Sequence, residues 1–143
     1  MGEDKLNRLP PDVKKQFLKL ALKLSEKKTK SKVHDDFLSF VKHVWPEFIE
    51  GRHHKEISEK FNQIAKGKIK RLIINMPPRH TKSEFASFLL PSWMVGRRPN
   101  LKIIQTTHTT ELAIRFGRKA KTLMDSPEYK QVFSTRLRED SQA

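Results

Sequence analysis

The stretch Arg71-Leu-Ile-Ile-Asn-Met-Pro-Pro-Arg-His-Thr-Lys-Ser83 decides how the rest of the chain is read. A β-branched apolar run, Leu72 to Ile74, stops at Pro77 and Pro78. A Lys82-Ser83 pair then opens an apolar-periodic segment. That order predicts a strand, a tight loop and a helix, the layout of a nucleotide phosphate loop. The first backbone N–H groups of a helix lack intrahelical acceptors and carry its partial positive charge, so a phosphate is favoured there. Lys82 then supplies a point charge for the β- and γ-phosphates of a nucleotide, and the Ser83 hydroxyl a ligand for Mg²⁺.

The loop departs from the standard eight-residue pattern at both glycines. Met76 occupies the first glycine position and Thr81 the second. A left-handed backbone at a β-branched threonine is strained. Pro77 and Pro78 carry no N–H, which leaves Arg79 to Ser83 as anion donors. The candidate binding segment is therefore Pro78, Arg79, His80, Thr81, Lys82 and Ser83. On residues alone, a variant phosphate loop and a plain strand-to-helix turn both remain open.

Downstream, Phe85, Phe88 and Leu89 form the buried stripe of a helix from Lys82 to about Leu90, which Pro91 bends or stops. Gly96 to Asn100 is a turn, and Leu101 to Thr106 reads as a second strand. A crossover of this length predicts a right-handed βαβ unit with parallel strands, which places Thr106, Thr107 and His108 beside the loop at one sheet edge. Thr109 or Thr110, with Glu111, caps the next helix. That helix, to about Met124, buries Ala113, Phe116, Ala120 and Leu123 and carries Arg115, Arg118 and Lys119 on another face. Ser126-Pro127 opens a short last helix toward Phe133.

Upstream, Val13, Phe17, Leu20, Ala21 and Leu24 predict an amphipathic helix from Pro11 to about Ser25, with a lysine-rich opposite face. Glu26 to Lys32 reads as a polar break. Asp35 and Asp36 start a second helix with Phe37, Phe40, Val41 and Val44 inward, closed by Trp45-Pro46. A third, His53 to Ala65, turns Ile57, Phe61 and Ile64 inward and ends at Gly67. Six histidines suggest a metal only superficially, because none shares a recognised ligand spacing. The expected fold class is α/β: a helical region over residues 1–67, then over 68–143 the first βαβα part of a P-loop NTPase parallel sheet.

Thirty Lys+Arg against 16 Asp+Glu give a net charge of +14, which favours polyanionic partners over a merely solvated surface. The absence of cysteine excludes a disulfide scaffold, a thiolate zinc site and a Cys nucleophile. The first residues lack an apolar signal region. The longest apolar stretch, Phe85 to Val95, falls short of the ~20 residues of a membrane span, so a soluble protein with no membrane partner is expected.

The run Ile73 to Glu84 resembles the variant Walker A segment of the large terminase subunit of tailed bacteriophages. The likeness extends to His43-Val-Trp-Pro-Glu-Phe48 with Gly51, to Pro91-Ser-Trp-Met-Val-Gly96, to Ile103-Ile-Gln-Thr-Thr107, to Ala113–Lys121 and to Ser126-Pro-Glu-Tyr129 with Phe133. It covers roughly residues 37 to 143. The family is a hydrolase, an ATPase motor joined to a nuclease, that drives double-stranded DNA into phage capsids. The resemblance implies ATP and Mg²⁺ as cofactors. It gives Lys82 the Walker A role, Ser83 the metal-ligating hydroxyl and Arg79 a catalytic cation on the γ-phosphate. Trp45 to His54 sits where the family approaches the adenine, with no residue assigned. Implied partners are double-stranded DNA, the phage portal, the small terminase subunit and the remainder of the large subunit. The implied setting is the host cytoplasm rather than the virion.

Leu123-Met124-Asp125 falls at a helix end, not a strand end, so it is not a Walker B segment. The family's coupling motif and nuclease carboxylates are absent as well. Arg136 to Ala143 resembles the family's continuing sequence. The expectation is an N-terminal part of a large terminase that binds nucleotide and is inactive alone. The alternative is a small basic nucleic-acid-binding module with no nucleotide dependence.

Overall fold

Wherever the apolar spacing is clear, a helix forms. In the computed structural model, which describes residues 10–136, α1 runs Pro11–Asp35, α2 Phe37–Val44 and α3 Arg52–Ala65. Next, α4 (Lys82–Glu84), a π-helical stretch (Phe85–Leu89) and α5 (Leu90–Arg97) follow without a break, and then α6 (Thr110–Asp125) and α7 (Pro127–Val132). The loose start expected before residue 10 and the run from residue 137 lie outside the described residues.

The chain divides into two compact units, one ending at Ser31 and one starting at Lys32. In the first, α1 does not stop near Ser25 as its pattern suggested but continues as helix to Asp35 in the second. No Gly or Pro interrupts Glu26 to Lys32, and Ser25 and Thr29 donate their hydroxyls back to the carbonyls of Leu22 and Ser25, a bond compatible with helix. Val13, Phe17, Leu20 and Leu24 on this helix are 45–57% exposed.

The second unit has an aromatic core. Phe37, fully buried, meets Phe61, Phe85 and Trp93 edge-on at centroid distances of 5.1, 5.4 and 5.4 Å, the arrangement that ring quadrupoles favour. The Trp93 indole N–H donates to the carbonyls of Val33 and His34 at 3.3 and 3.2 Å, covering acceptors that the end of α1 leaves open. Phe40, Tyr129 and Phe133 form a second aromatic group. Gly96 admits it: a Cβ there would lie 2.6 Å from the Phe133 ring.

The α/β expectation is overturned. No strand or sheet exists among the described residues, and the class is all-helical. Burial does alternate along the first expected strand. Leu72, Ile74 and Met76 pack on the core while Ile73 is 86% exposed. That is the period of a strand without a ladder. The second expected strand is less engaged, with Ile104 91% exposed. Apolar, β-branched composition marks a segment able to pair, but pairing itself requires a neighbour's N–H and C=O groups. With no sheet there is no βαβ unit, and no sheet edge brings Thr106, Thr107 and His108 to the loop.

Pro91 does not stop its helix either. The π-helical stretch just before it widens the turn, with the Leu90 N–H bonding back to Phe85 O. A residue inserted there relieves the clash that a proline ring makes with the carbonyl four residues earlier.

Asp36 joins α2 to α3. Its carboxylate accepts from Ser39 N–H and from the Asn62 side chain, each at 2.8 Å, while Asn62 Oδ1 accepts Phe37 N–H at 2.9 Å. Burial pushes the Asp36 carboxyl up, but these bonds and Lys32 outweigh it and hold the pKa below the usual value. Its share of stability is therefore full above about pH 4 and is lost as pH falls through the lower, folded value. Asp36→Ala is expected to cost about 1–2 kcal/mol in urea unfolding at neutral pH, with the difference from wild type shrinking in acid. An unchanged midpoint at neutral pH would show that this cap contributes nothing.

Candidate functional site

The loop between Met76 and α4 is built from two left-handed residues. Arg79 has φ 65° and Thr81 has φ 56° with ψ 8°. Neither is glycine, and a left-handed β-branched residue costs roughly 1–2 kcal/mol. The strain foreseen at Thr81 is therefore present. Pro77 to Glu84 line one concavity of about 200 Å³. It includes all six candidate residues, Pro78 to Ser83, which chain connectivity alone keeps together. The first helical bond is Phe85 N–H to Thr81 O at 3.0 Å, so the amides of Lys82, Ser83 and Glu84 have no intrahelical acceptor. Lys82 folds back over the loop and donates Nζ–H to Met76 O at 3.2 Å.

Charge around the loop favours an anion. Arg79 and Lys82 are the cations within it, and the acid beside them is neutralised: Glu84 accepts from Lys119 Nζ with both oxygens, at 2.9 and 2.8 Å. Lys119 also lies 5.2 Å from the Phe88 ring centre. The expected basic stripe of α6 is thus split, with Lys119 engaged and Arg115 and Arg118 exposed. These three border a second, larger concavity of about 1000 Å³, lined also by Val44, Phe88, Ile114 and Leu123. Its lining also includes Glu111 and Glu128, whose carboxylates oppose a phosphate, so the smaller loop concavity is the better candidate.

His54 completes the loop and was not among the candidates read from sequence. Gly51 N–H donates to His54 Nδ1 at 2.9 Å, the return half of a capping box at the start of α3. With Nδ1 accepting, Nε2 carries the proton and donates to Thr81 Oγ1 at 2.6 Å. Thr81 Oγ1–H in turn donates to His80 O at 2.7 Å. The His54 ring is 6% exposed and packs on Phe48 and Phe85 at 4.7 and 5.0 Å. One signal was available: His54 precedes Ile57 and Phe61 by three and seven residues, which puts it on the inward stripe.

For Mg²⁺, the loop offers the exposed Ser83 hydroxyl. No group of three or more His, Cys, Asp or Glu suited to a metal occurs among the described residues. The fit is therefore to a metal carried with phosphate oxygens rather than to a protein-held ion. No described helix is long and apolar enough to cross a membrane. Comparison with protein-family models, curated proteins and solved structures finds no match.

Burial foremost, and the neighbouring His53 and His80, push the His54 pKa below its ordinary value against an opposing pull from Glu50. Folding thus favours neutral His54. Its contribution to stability is full above about pH 6.5 and is lost as pH falls through the lowered value. His54→Gln is expected to lose less melting temperature than wild type between about pH 7.5 and pH 5.5. Equal losses in both proteins would show that His54 does not titrate with folding.

Proposed function

We propose that Met76–Ser83 is a variant phosphate-binding loop for ATP with Mg²⁺, and that the chain provides the nucleotide-binding part of a phage large terminase, a motor that packages double-stranded DNA. The observation that carries this reading is the pair of left-handed, non-glycine residues immediately before a Lys-Ser helix start. Strain of that kind persists where the surroundings over-determine it, and it concentrates at ligand-binding segments. The terminase assignment rests on the sequence resemblance. So do its further elements: the portal, the small subunit and the rest of the large subunit as partners, and the host cytoplasm as the setting.

Each residue then has a separate role. The open amides of Lys82 and Ser83 hold phosphate oxygens. Lys82, already directed across the loop, exchanges the Met76 carbonyl for the β- and γ-phosphates. Arg79 adds a second cation for charge that develops on the γ-phosphate in phosphoryl transfer. Ser83 would offer one hydroxyl to Mg²⁺, which when bound neutralises phosphate charge. Glu84, held by Lys119, does not serve as a base for water. These residues bind and orient; efficient hydrolysis needs an acidic partner besides them.

Lys82→Ala is expected to weaken ATP·Mg²⁺ binding about ten- to hundredfold by calorimetric titration, the worth of one hydrogen bond to a charged group, with the fold intact. Equal binding by wild type and variant would sink the proposal. The second reading, a basic nucleic-acid module, is favoured by the exposed lysines of α1 and by Arg115 and Arg118. It predicts DNA affinity that falls steeply with salt and ignores ATP.

A further inference from the structure

We propose that His54 is a positioning residue for the phosphate loop, holding Thr81 in the left-handed conformation that a glycine would adopt unaided. This rests on the reading of Met76–Ser83 as a phosphate loop. The standard pattern has glycine immediately before the lysine because that residue type takes positive φ at no steric cost. Here Thr81 occupies the position at φ 56°, so something must supply what the missing glycine does not. Thr81 is held at two of its oxygens. Its Oγ1 receives His54 Nε2–H at 2.6 Å and donates to His80 O at 2.7 Å, and its carbonyl receives Phe85 N–H at 3.0 Å.

The two backbone anchors lie within four residues and travel with the loop. His54 comes from α3, 27 residues away, and is the external support. It is itself fixed. Gly51 N–H occupies Nδ1 at 2.9 Å, which sets the tautomer, and Phe48 and Phe85 pack its ring. Because Nδ1 already accepts and Nε2 donates, the ring has no free lone pair to act as a base. A buried core histidine with no role in the loop is the plain alternative. It differs in one respect: its loss should not be repaired by changing residue 81.

That repair is the test. ATP·Mg²⁺ affinity is measured by calorimetry for wild type, His54→Ala, Thr81→Val, Thr81→Gly and the double variant His54→Ala/Thr81→Gly. The HN–Hα scalar coupling of residue 81 reports its φ in each. Freed from His54, residue 81 leaves the left-handed well, and His54→Ala should bind about five- to thirtyfold more weakly. Thr81→Val keeps the branched shape without the hydroxyl and should lose as much. The double variant should regain most of what His54→Ala loses, since glycine accepts positive φ without support.

A double variant as weak as His54→Ala overturns the proposal, as does a His54→Ala protein that binds like wild type. If His54→Ala does not fold, Thr81→Val against Thr81→Gly carries the comparison. The proposal then requires Gly to bind more tightly by the same factor, and equality overturns it. If wild type shows no ATP affinity that Lys82→Ala removes, the phosphate-loop reading fails instead. The coupling then decides the His54–Thr81 link alone: it should shift in Thr81→Val, and an unchanged value overturns it.

Discussion

The buried ring of Phe85 is where core and loop meet, and the rest of the second unit depends on it. On one side it lies 5.4 Å from Phe37, the centre of the aromatic core. On the other it lies 5.0 Å from His54 and 5.5 Å from Phe48. Its own N–H closes the first bond of the helical path, onto Thr81. A ring 1% exposed in a close-packed interior has little room to move. The position of α4 against α3, and hence the distance from His54 to Thr81, is therefore set by aromatic packing. Loop geometry here is a consequence of the core.

Hydrogen bonds across long sequence separations do the same for the helices. Asp36 and Asn62 tie the start of α2 to α3, Trp93 covers the end of α1, and His43 donates to Glu128 O at 3.1 Å to hold α7. Each satisfies a helix-terminal or partly buried polar group, so each is costly to remove. These contacts give the second unit a defined arrangement even though neither apolar run at Leu72 or Leu101 finds a strand partner. In the first unit, the described residues of α1 form one continuous helix. Its stability rests on helix-forming residues and a regular bond ladder.

What was legible in the sequence was local. The starts of α2, α6 and α7 are written in their caps: Asp36, Thr109 and Ser126 each accept from an N–H three residues on. The end of α3 is marked by Gly67, at φ 74°. The loop ahead of Lys82 was legible because its residues are consecutive. What failed was non-local or graded. A strand exists only with a partner, which composition cannot supply. Pro91 was tolerated because the helix widened ahead of it. α1 ran past Ser25 because a polar run without Gly or Pro is no barrier. His54 was missed because its partner lies 27 residues away and histidine on an inward stripe looks like core.

Nucleotide binding by this chain requires that the open amides behind Thr81 hold phosphate. The direct measurement is a titration of uniformly ¹⁵N-labelled protein with ATP·Mg²⁺, followed amide by amide. The N–H resonances of Arg79 to Glu84 are expected to shift first and saturate together, with the amides of α1 and of Arg115 to Arg118 unmoved. Shifts confined to the lysine-rich α1, or none at the loop at any ATP concentration, would contradict phosphate binding there and leave Thr81 as a strained turn with no ligand.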